Sequence, residues 1–425
     1  MSAVVMVAVP LGLLLLGVPI FVVLLLAALV GILQMGDVPL RALHTAVVGS
    51  LDSFPLLAVP LFIFAGDIMA RGGIARRLVE LVLSVVGGIR GSLAVATIAS
   101  ASVFGAMSGS SVACVAAIGK LTLKPLEKNG YGRTFSVSLI TATGVIDVII
   151  PPSIPMIIYG IVAQQSVTKL FAAGIVPGLI VATALSAYML LYARVKRIPV
   201  TDTLRWPNVR AKAKDSVWAV LAPVVILGGI YGGVFTPTEA AGIACLYAIV
   251  ISVYVYKELT WLDLGMMTLD SAALIAQIMV IVAAAGAYSW LITTSGFPTR
   301  LVGFVDGLML DPWLLLLVIN LMLLCVGSVL EPPAAILVLA PLLTPVVEKA
   351  GIDPIHFGLI VTVNLAVGMF MPPFGLNLFA SHALFGTPLP QLYRGVVPFL
   401  LIYLAVLMLL TYVPAVTLVP LSWLQ

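Results

Sequence analysis

The chain has 425 residues, of which 62% are hydrophobic and 9% charged, with a mean hydropathy of +1.22; a soluble domain carries about 25% charged residues, so a water-soluble globular protein is excluded. At about 20 residues per spanning helix plus loops, the length accommodates roughly ten to twelve membrane segments in one all-α polytopic domain within a lipid bilayer. The formal charge of +4 is small, is explained by cytoplasmic loops, and implies no nucleic-acid partner.

The N-terminal run has no charged side chain before Asp37. It therefore lacks the basic region of a secretory signal, is too long for a signal's apolar core, and is read as a first span over residues 3–33. A second span follows over 45–70, with Arg41 and His44 on the outer side against the positive-inside preference. Arg71, Arg76, Arg77 and Arg90 precede an apolar stretch over 91–119, and Lys120, Lys124, Lys128 and Arg133 follow it. Both ends of that stretch therefore face the cytoplasm. Its length gives two arms of roughly 20 Å at about 1.5 Å per residue, which enter the membrane without crossing it. The spacing predicts a re-entrant hairpin with its tip at "SGSS", residues 108–111.

Next comes an apolar helix over 134–164 that contains "IIPPSIPMIIYG". The pair Pro151 and Pro152 removes two backbone donors and clashes with the preceding turn, so the helix must open there. A span over 170–193 leads to Arg194, Lys196, Arg197, Arg205, Arg210, Lys212 and Lys214, which make 196–214 a cytoplasmic loop. Beyond it lie spans over 215–233, 239–256 and 262–295, then a second apolar stretch over 312–347. Asp306, Asp311, Glu348 and Asp353 flank that stretch and place its opening outside. Residues 76–90 and 297–311 are too short and too charged to span, and read as interfacial helices introducing each hairpin. A helix over 355–386 broken at "FMPPFGLNLFAS" and a span over 395–420 complete the chain.

The two double prolines stand 221 positions apart (372 − 151 = 221). The same shift carries Ser110 onto Glu331, Glu127, Lys128 and Gly130 onto Glu348, Lys349 and Gly351, and Pro177 onto Pro398. Two copies with opposite loop polarity make an inverted repeat: residues 1–195 form the first unit, 196–214 the basic connection and 215–425 the second. Broken helices at matching places in two halves point to a transporter's midplane binding site.

Three hydroxyls and a glycine at the first tip, Ser108, Gly109, Ser110 and Ser111, are suited to wrapping a small hard cation such as sodium. Small residues also serve close helix packing, but opened backbone at a re-entrant tip must line protein or a wet cavity. Thr143, Gly144, Pro151, Pro152, Ser153 and Pro155 mirror Asn364, Gly368, Pro372, Pro373, Gly375 and Asn377. The half-helices ending there offer carbonyl ends to cations and N-terminal ends to carboxylates, whereas a single pair would signify only a kink. Asp147 and Glu331 lie at apparent membrane depth, where a charge is costly, and each is either functional or a carboxylate capping opened backbone. Asp67 and Asp270 read as structural, and Thr236 with Glu239 as a helix cap. Cys114, Cys245 and Cys325 read as core residues. Scattered histidines and the absence of a phosphate loop argue against an enzyme and leave an ion gradient or another subunit as the energy source. No arginine stands at evident membrane depth to clamp a carboxylate.

Four ordered stretches, "FGAMSGSSVACVAAIG", "IIPPSIPMIIYG", "GGVFTPTEAAGIA" and "PIHFGLIVTVNLAVGMFMPPFGLNLF", together resemble the large membrane subunit of tripartite ATP-independent periplasmic (TRAP) transporters across almost the whole chain. The resemblance implies a sodium-coupled, elevator-type importer of organic acids in the bacterial inner membrane, multi-pass, working with a periplasmic substrate-binding protein and a small four-helix membrane subunit on a separate chain. It places one of two sodium sites between Ser108 and Ser110 and the break after Gly144, and its mate between Gly327 to Glu331 and the break after Gly368; Pro151, Met371 and Pro372 at the breaks, and Asp147, which is less typical of the family, complete the candidate ion-site residues. The substrate, a C4-dicarboxylate, sialic acid or similar carboxylate, is expected between the tips near Ser111, Pro152, Ser153, Pro373 and Asn377. Met371 stands where the family often has threonine, so the second ion site is expected to rely on backbone carbonyls. A stand-alone sodium-coupled carboxylate symporter is the alternative.

Overall fold

The computed structural model describes residues 9–424 except 11, 15, 36–37, 87 and 201–205, so Asp37, Arg205 and the start of the expected first span lie outside the described residues. Every element assigned among them is helical. Helix α1 (Ile20–Met35) starts after Pro19, and α2 (Arg41–Leu51) ends at Asp52. A 3-10 turn (Phe54–Leu57) leads into α3 (Ala58–Arg71), and after Gly73 comes α4 (Ile74–Val85), a short amphipathic helix with Ile74, Ala75, Leu78 and Val79 buried. The first hairpin is α5 (Ser92–Ser108) and α6 (Ser111–Lys128). The first broken helix is α7 (Arg133–Thr143), α8 (Ile146–Ile149) and α9 (Ile154–Val162), followed by α10 (Val167–Val195).

The second half opens with α11 (Trp206–Asp215), α12 (Val217–Tyr231) and α13 (Pro237–Val250), the last continuing into a π-helical turn (Ile251–Val255). Then come α14 (Trp261–Thr294) and α15 (Phe297–Gly307). The second hairpin is α16 (Pro312–Gly327) and α17 (Pro332–Lys349), and the second broken helix α18 (Pro354–Gly368) and α19 (Leu376–Phe385). Helix α20 (Leu389–Tyr412) and α21 (Ala415–Leu418) follow. The bounds of α6 and α17 differ by the 221-residue shift at both ends. The cis peptide bonds Pro151-Pro152 and Pro372-Pro373 are separated by the same interval.

Two buried clusters hold the molecule together. One gathers Phe62, Phe104, Tyr159 and Phe357 where α3, α5, α9 and α18 meet; the other gathers Ile140, Leu185, Phe370 and Tyr403 from α7, α10, the second break and α20. Fully burying side chains of this size contributes about 1.5–3 kcal/mol each in water-referenced terms. Polar ties sit inside the apolar packing: the Tyr159 hydroxyl donates to the Pro354 carbonyl at 2.7 Å and Tyr403 to the Ala142 carbonyl at 2.7 Å.

Several expectations need correcting. Residues 45–70 are not one span, because the chain leaves the helix at Asp52 (φ −84°, ψ 63°) and Pro55 has no N–H to continue it. The basic connection is partly helical, since α11 occupies 206–215 and meets α12 at a bend of 57°. The second arm of the first hairpin runs to Lys128 rather than 119, its lysines lying on an exposed face and favouring helix. Cys325 is exposed, not core. By length and composition seven described helices can cross a membrane, or eight if the bent pair counts as one span, fewer than the ten to twelve segments expected. The difference lies in shorter apolar pieces: hairpin arms such as Ser92–Ser108 and Pro312–Gly327, and half-helices such as Pro354–Gly368 and Leu376–Phe385.

At Gly368 a Cβ would run into the backbone of Gly327, a contact that no side-chain rotation relieves. Gly368→Ala is expected to lower the midpoint of thermal unfolding of the detergent-solubilised protein, by a cost of about 1–3 kcal/mol typical of overpacking. An unchanged midpoint would show that the second hairpin and the second broken helix do not pack this closely.

Candidate functional site

The first tip forms because α5 stops at Gly109, whose positive φ of 62° turns the chain, and Ser110 is extended (φ −126°, ψ 105°) before α6 begins. Asp147, on the short α8, is fully buried and reaches this turn. Its carboxylate accepts from the Gly109 amide at 3.1 Å and the Ser108 hydroxyl at 3.4 Å, with the Ser110 amide contributing as well. The Ser110 amide also lies 3.3 Å from the Ser108 oxygen. No basic side chain stands among these partners. Gly144, buried one turn earlier, faces the Ser111 carbonyl, and Pro151 and Pro152 are buried, with the Pro152 carbonyl facing Gly109.

A second connection links the halves. Asn377, at the start of α19, donates from Nδ2 to the Ser111 hydroxyl at 2.6 Å and lies 3.4 Å from the Thr141 carbonyl. The Thr141 and Ser381 hydroxyls meet at 2.6 Å. Asn377 Oδ1 is buried with no hydrogen-bond partner. Sequence reading missed Thr141 and Ser381, although a hydroxyl on a buried face of an apolar helix was the available signal.

The second tip is built differently. Gly327 packs on Gly368, Ser328 donates to the Cys325 carbonyl at 2.8 Å, and Glu331 is exposed at the start of α17 without a side-chain cap. The Met371 amide donates to the Gly368 carbonyl at 3.1 Å, Pro372 is half-buried, and the exposed Pro373 presents its carbonyl to the Tyr393 hydroxyl at 2.8 Å. Behind this tip Asn364 donates to Asn320, which donates to Thr411 at 3.0 Å, while Asn364 Oδ1 is buried without a partner.

Between the tips lies a cavity of about 540 Å³. Ser110 and Ser111 of the first tip, Glu331 of the second, and Ile154, Pro155 and Leu376 at the N-termini of α9 and α19 all line it. Ser153 is fully buried one residue behind this wall: it caps α9 by accepting from the Met156 amide at 3.5 Å and donates to the Val148 carbonyl at 2.5 Å. Asn377 is likewise buried behind Leu376, and neither Asn377 nor Pro373 is among the lining residues.

A smaller adjoining cavity of about 130 Å³ shares Ser110 with the first and is lined by Ser108, Asp67, Arg71, Asp270 and Ser271. Arg71 Nε is 2.8 Å from Asp67 and Nη1 is 3.1 Å from Asp270, while Ser271 donates to Asp67 at 3.3 Å. Arg71 ends a span in sequence, and the packing of α3 on α14 brings it beside the first tip, where Asp67 and Asp270 engage its guanidinium.

The family model described as the DctM component of tripartite ATP-independent periplasmic transporters matches residues 5–416. The chain is similar to the C4-dicarboxylate TRAP transporter large permease protein DctM of Pseudomonas aeruginosa, with 40% identity over 90% of each chain. It is similar to a putative TRAP transporter large permease protein of Haemophilus influenzae, with 36% identity over 100% of each. With the isethionate TRAP transporter permease protein DctMQ of Oleidesulfovibrio alaskensis it shares 41% identity over 94% of this chain and 63% of that protein. In fold it is similar to the crystal structure of the Alcanivorax borkumensis YdaH transporter, with a TM-score of 0.64 at 15% identity over 88% of each chain.

The contact between Asn377 and Ser111 ties a break in one half to a tip in the other, so Ser111→Ala and Asn377→Ala should not act independently. A double-mutant cycle on thermal unfolding in detergent is expected to give a coupling of about 0.5–3 kcal/mol. Additive effects would mean that the two side chains do not meet.

Proposed function

The chain belongs to the DctM component family of tripartite ATP-independent periplasmic transporters, and from that premise we propose that it is the large permease subunit of a sodium-coupled importer of organic acids that moves its cargo by an elevator mechanism. It is a multi-pass membrane protein, and its place in this reading is the bacterial inner membrane. A small membrane subunit on a separate chain and a periplasmic substrate-binding protein complete the system.

The observation that carries the proposal is the cavity lined at once by both hairpin tips and by the N-terminal residues of both second half-helices. Unpaired amides and the positive end of the helix dipole at such N-termini favour a carboxylate. At the opposite ends, the opened helices and tips offer oxygens to a cation. In the first half these are the Asp147 carboxylate and the Ser108 hydroxyl, in the second the backbone about Gly327 and Gly368. Ser153 and Asn377 act from behind the wall in this reading, fixing where the half-helices begin. Two ions entering down a tenfold gradient contribute about 1.4 kcal/mol each, and about 2.3 kcal/mol more per charge for every 100 mV. Roughly 7 kcal/mol is thus available for concentrating an acid, less the part that an anionic cargo returns.

The decisive experiment is uptake of labelled carboxylates into proteoliposomes holding this chain with its small partner, with and without the binding protein and an inward sodium gradient. Uptake is expected only with both. Uptake without the binding protein would favour a stand-alone symporter, and uptake indifferent to sodium would remove the coupling. In the same assay Asp147→Ala should raise the sodium concentration for half-maximal uptake by about tenfold, the scale of one lost interaction with a charged group.

A further inference from the structure

The first hairpin carries a feature that neither the ion sites nor the cavity wall uses. On α6 the face that lines the cavity with Ser110, Ala113 and Ala116 continues away from the tip as Lys120, Lys124 and Lys128, each about one turn beyond the last. All three lysines are exposed, and none forms an ion pair among the described residues. Arg71, Arg76, Arg77, Arg133 and Lys212, by contrast, are paired with carboxylates. Glu127, the acid on the same helix, is taken up by Arg133 at 2.9 Å.

On α6 the lining of this cavity ends at Ala116, about one turn short of Lys120. Ala383 and Leu384 line the cavity, and the next residue, Phe385, packs its ring against Gly119. Lys120, Lys124 and Lys128 lie on the flank read as cytoplasmic, where exposed ammonium groups meet water. The second hairpin has nothing equivalent. At the same positions of the 221-residue register it carries Pro341, Pro345 and Lys349, and Lys349 is paired with Asp306 at 2.7 Å.

We propose that Lys120, Lys124 and Lys128 form a cationic track along which the organic anion leaves the cavity toward the cytoplasmic end of the first hairpin. This rests on the transporter reading above. Three unpaired positive charges in a row lower the energy of an anion at each step out of an apolar cavity, and the ladder exists only on the side where an importer releases its cargo. Because charged clefts change encounter and escape rates more than contact geometry, the track acts on release, and release frequently limits turnover.

The test uses the complete system in proteoliposomes and the labelled acid that the wild type takes up fastest from succinate, pyruvate and N-acetylneuraminate. Lys120→Gln with Lys124→Gln is expected to lower maximal uptake about tenfold while changing the half-saturating external concentration less than about twofold. Lys120→Arg with Lys124→Arg should restore the rate, and Lys349→Gln should leave it unchanged. Wild-type maximal uptake in the double Gln variant would overturn the track, as would an equal loss in Lys349→Gln. The same series in vesicles of phosphatidylcholine alone separates two anions: a loss that persists supports the exiting cargo, and a loss that disappears assigns the lysines to anionic lipid headgroups and overturns the proposal. If the wild type moves none of the three acids, the underlying transporter reading falls, an outcome distinct from a working wild type with an indifferent variant.

Discussion

Two double prolines open two helices within a strongly apolar chain, and the rest of the structure answers to that constraint. Each opening exposes carbonyls and amides that hydrocarbon would leave unpaired. The protein supplies partners from both near and far in sequence. Tyr403 donates to the Ala142 carbonyl, Tyr393 to the Pro373 carbonyl, and the Asn377 amide crosses the second break to the Met369 carbonyl at 2.8 Å. Ser153 closes the first break from within, holding the Val148 carbonyl while capping α9. The hairpin tips lie against these breaks, so backbone that would be a liability in lipid becomes the wall of a cavity.

Much of this was legible because it depends on residues whose effect is local. Proline pairs, a glycine turn at Gly109 and charge asymmetry around apolar stretches each act on the chain within a few residues. The chain turns at Gly109 and its helices are interrupted at both proline pairs. What could not be read depends on contacts made across the fold. The hydrogen bond from Asn377 to Ser111 spans 266 residues. Arg71 looks like the end of a span until α14 brings Asp270 and Ser271 beside it. The break at Asp52 was hidden for another reason: in a uniformly apolar background one acid and one proline barely alter the hydropathy on which span boundaries were drawn. Expected substrate residues also moved by one layer. Ser153 and Asn377 stand at the openings, as their positions indicated, but their side chains point into the structure and leave Ile154, Pro155 and Leu376 at the cavity.

The register that relates the two halves keeps helix bounds and proline pairs in step, yet the charges along it are not in step. Asp147 corresponds to Gly368, Ser110 to Glu331, and Lys120 and Lys124 to Pro341 and Pro345. At the first site a buried carboxylate fills the space beside the tip; at the second, Gly368 leaves room only for the backbone of Gly327. Two copies of one unit can provide two geometrically similar places for an ion, but identical copies in opposite orientations would have no preferred direction.

Direction therefore has to come from the side chains that differ. In the proposed reading, a carboxylate at the first tip would hold a cation through full charge and a backbone site through dipoles alone. Between the two hairpins the unpaired lysines follow the same division, standing on the first and continuing the face that lines the cavity. In the proposed reading, paired helices and breaks set the depth of the site, and the unequal charges placed on that common frame bias the anion toward one side.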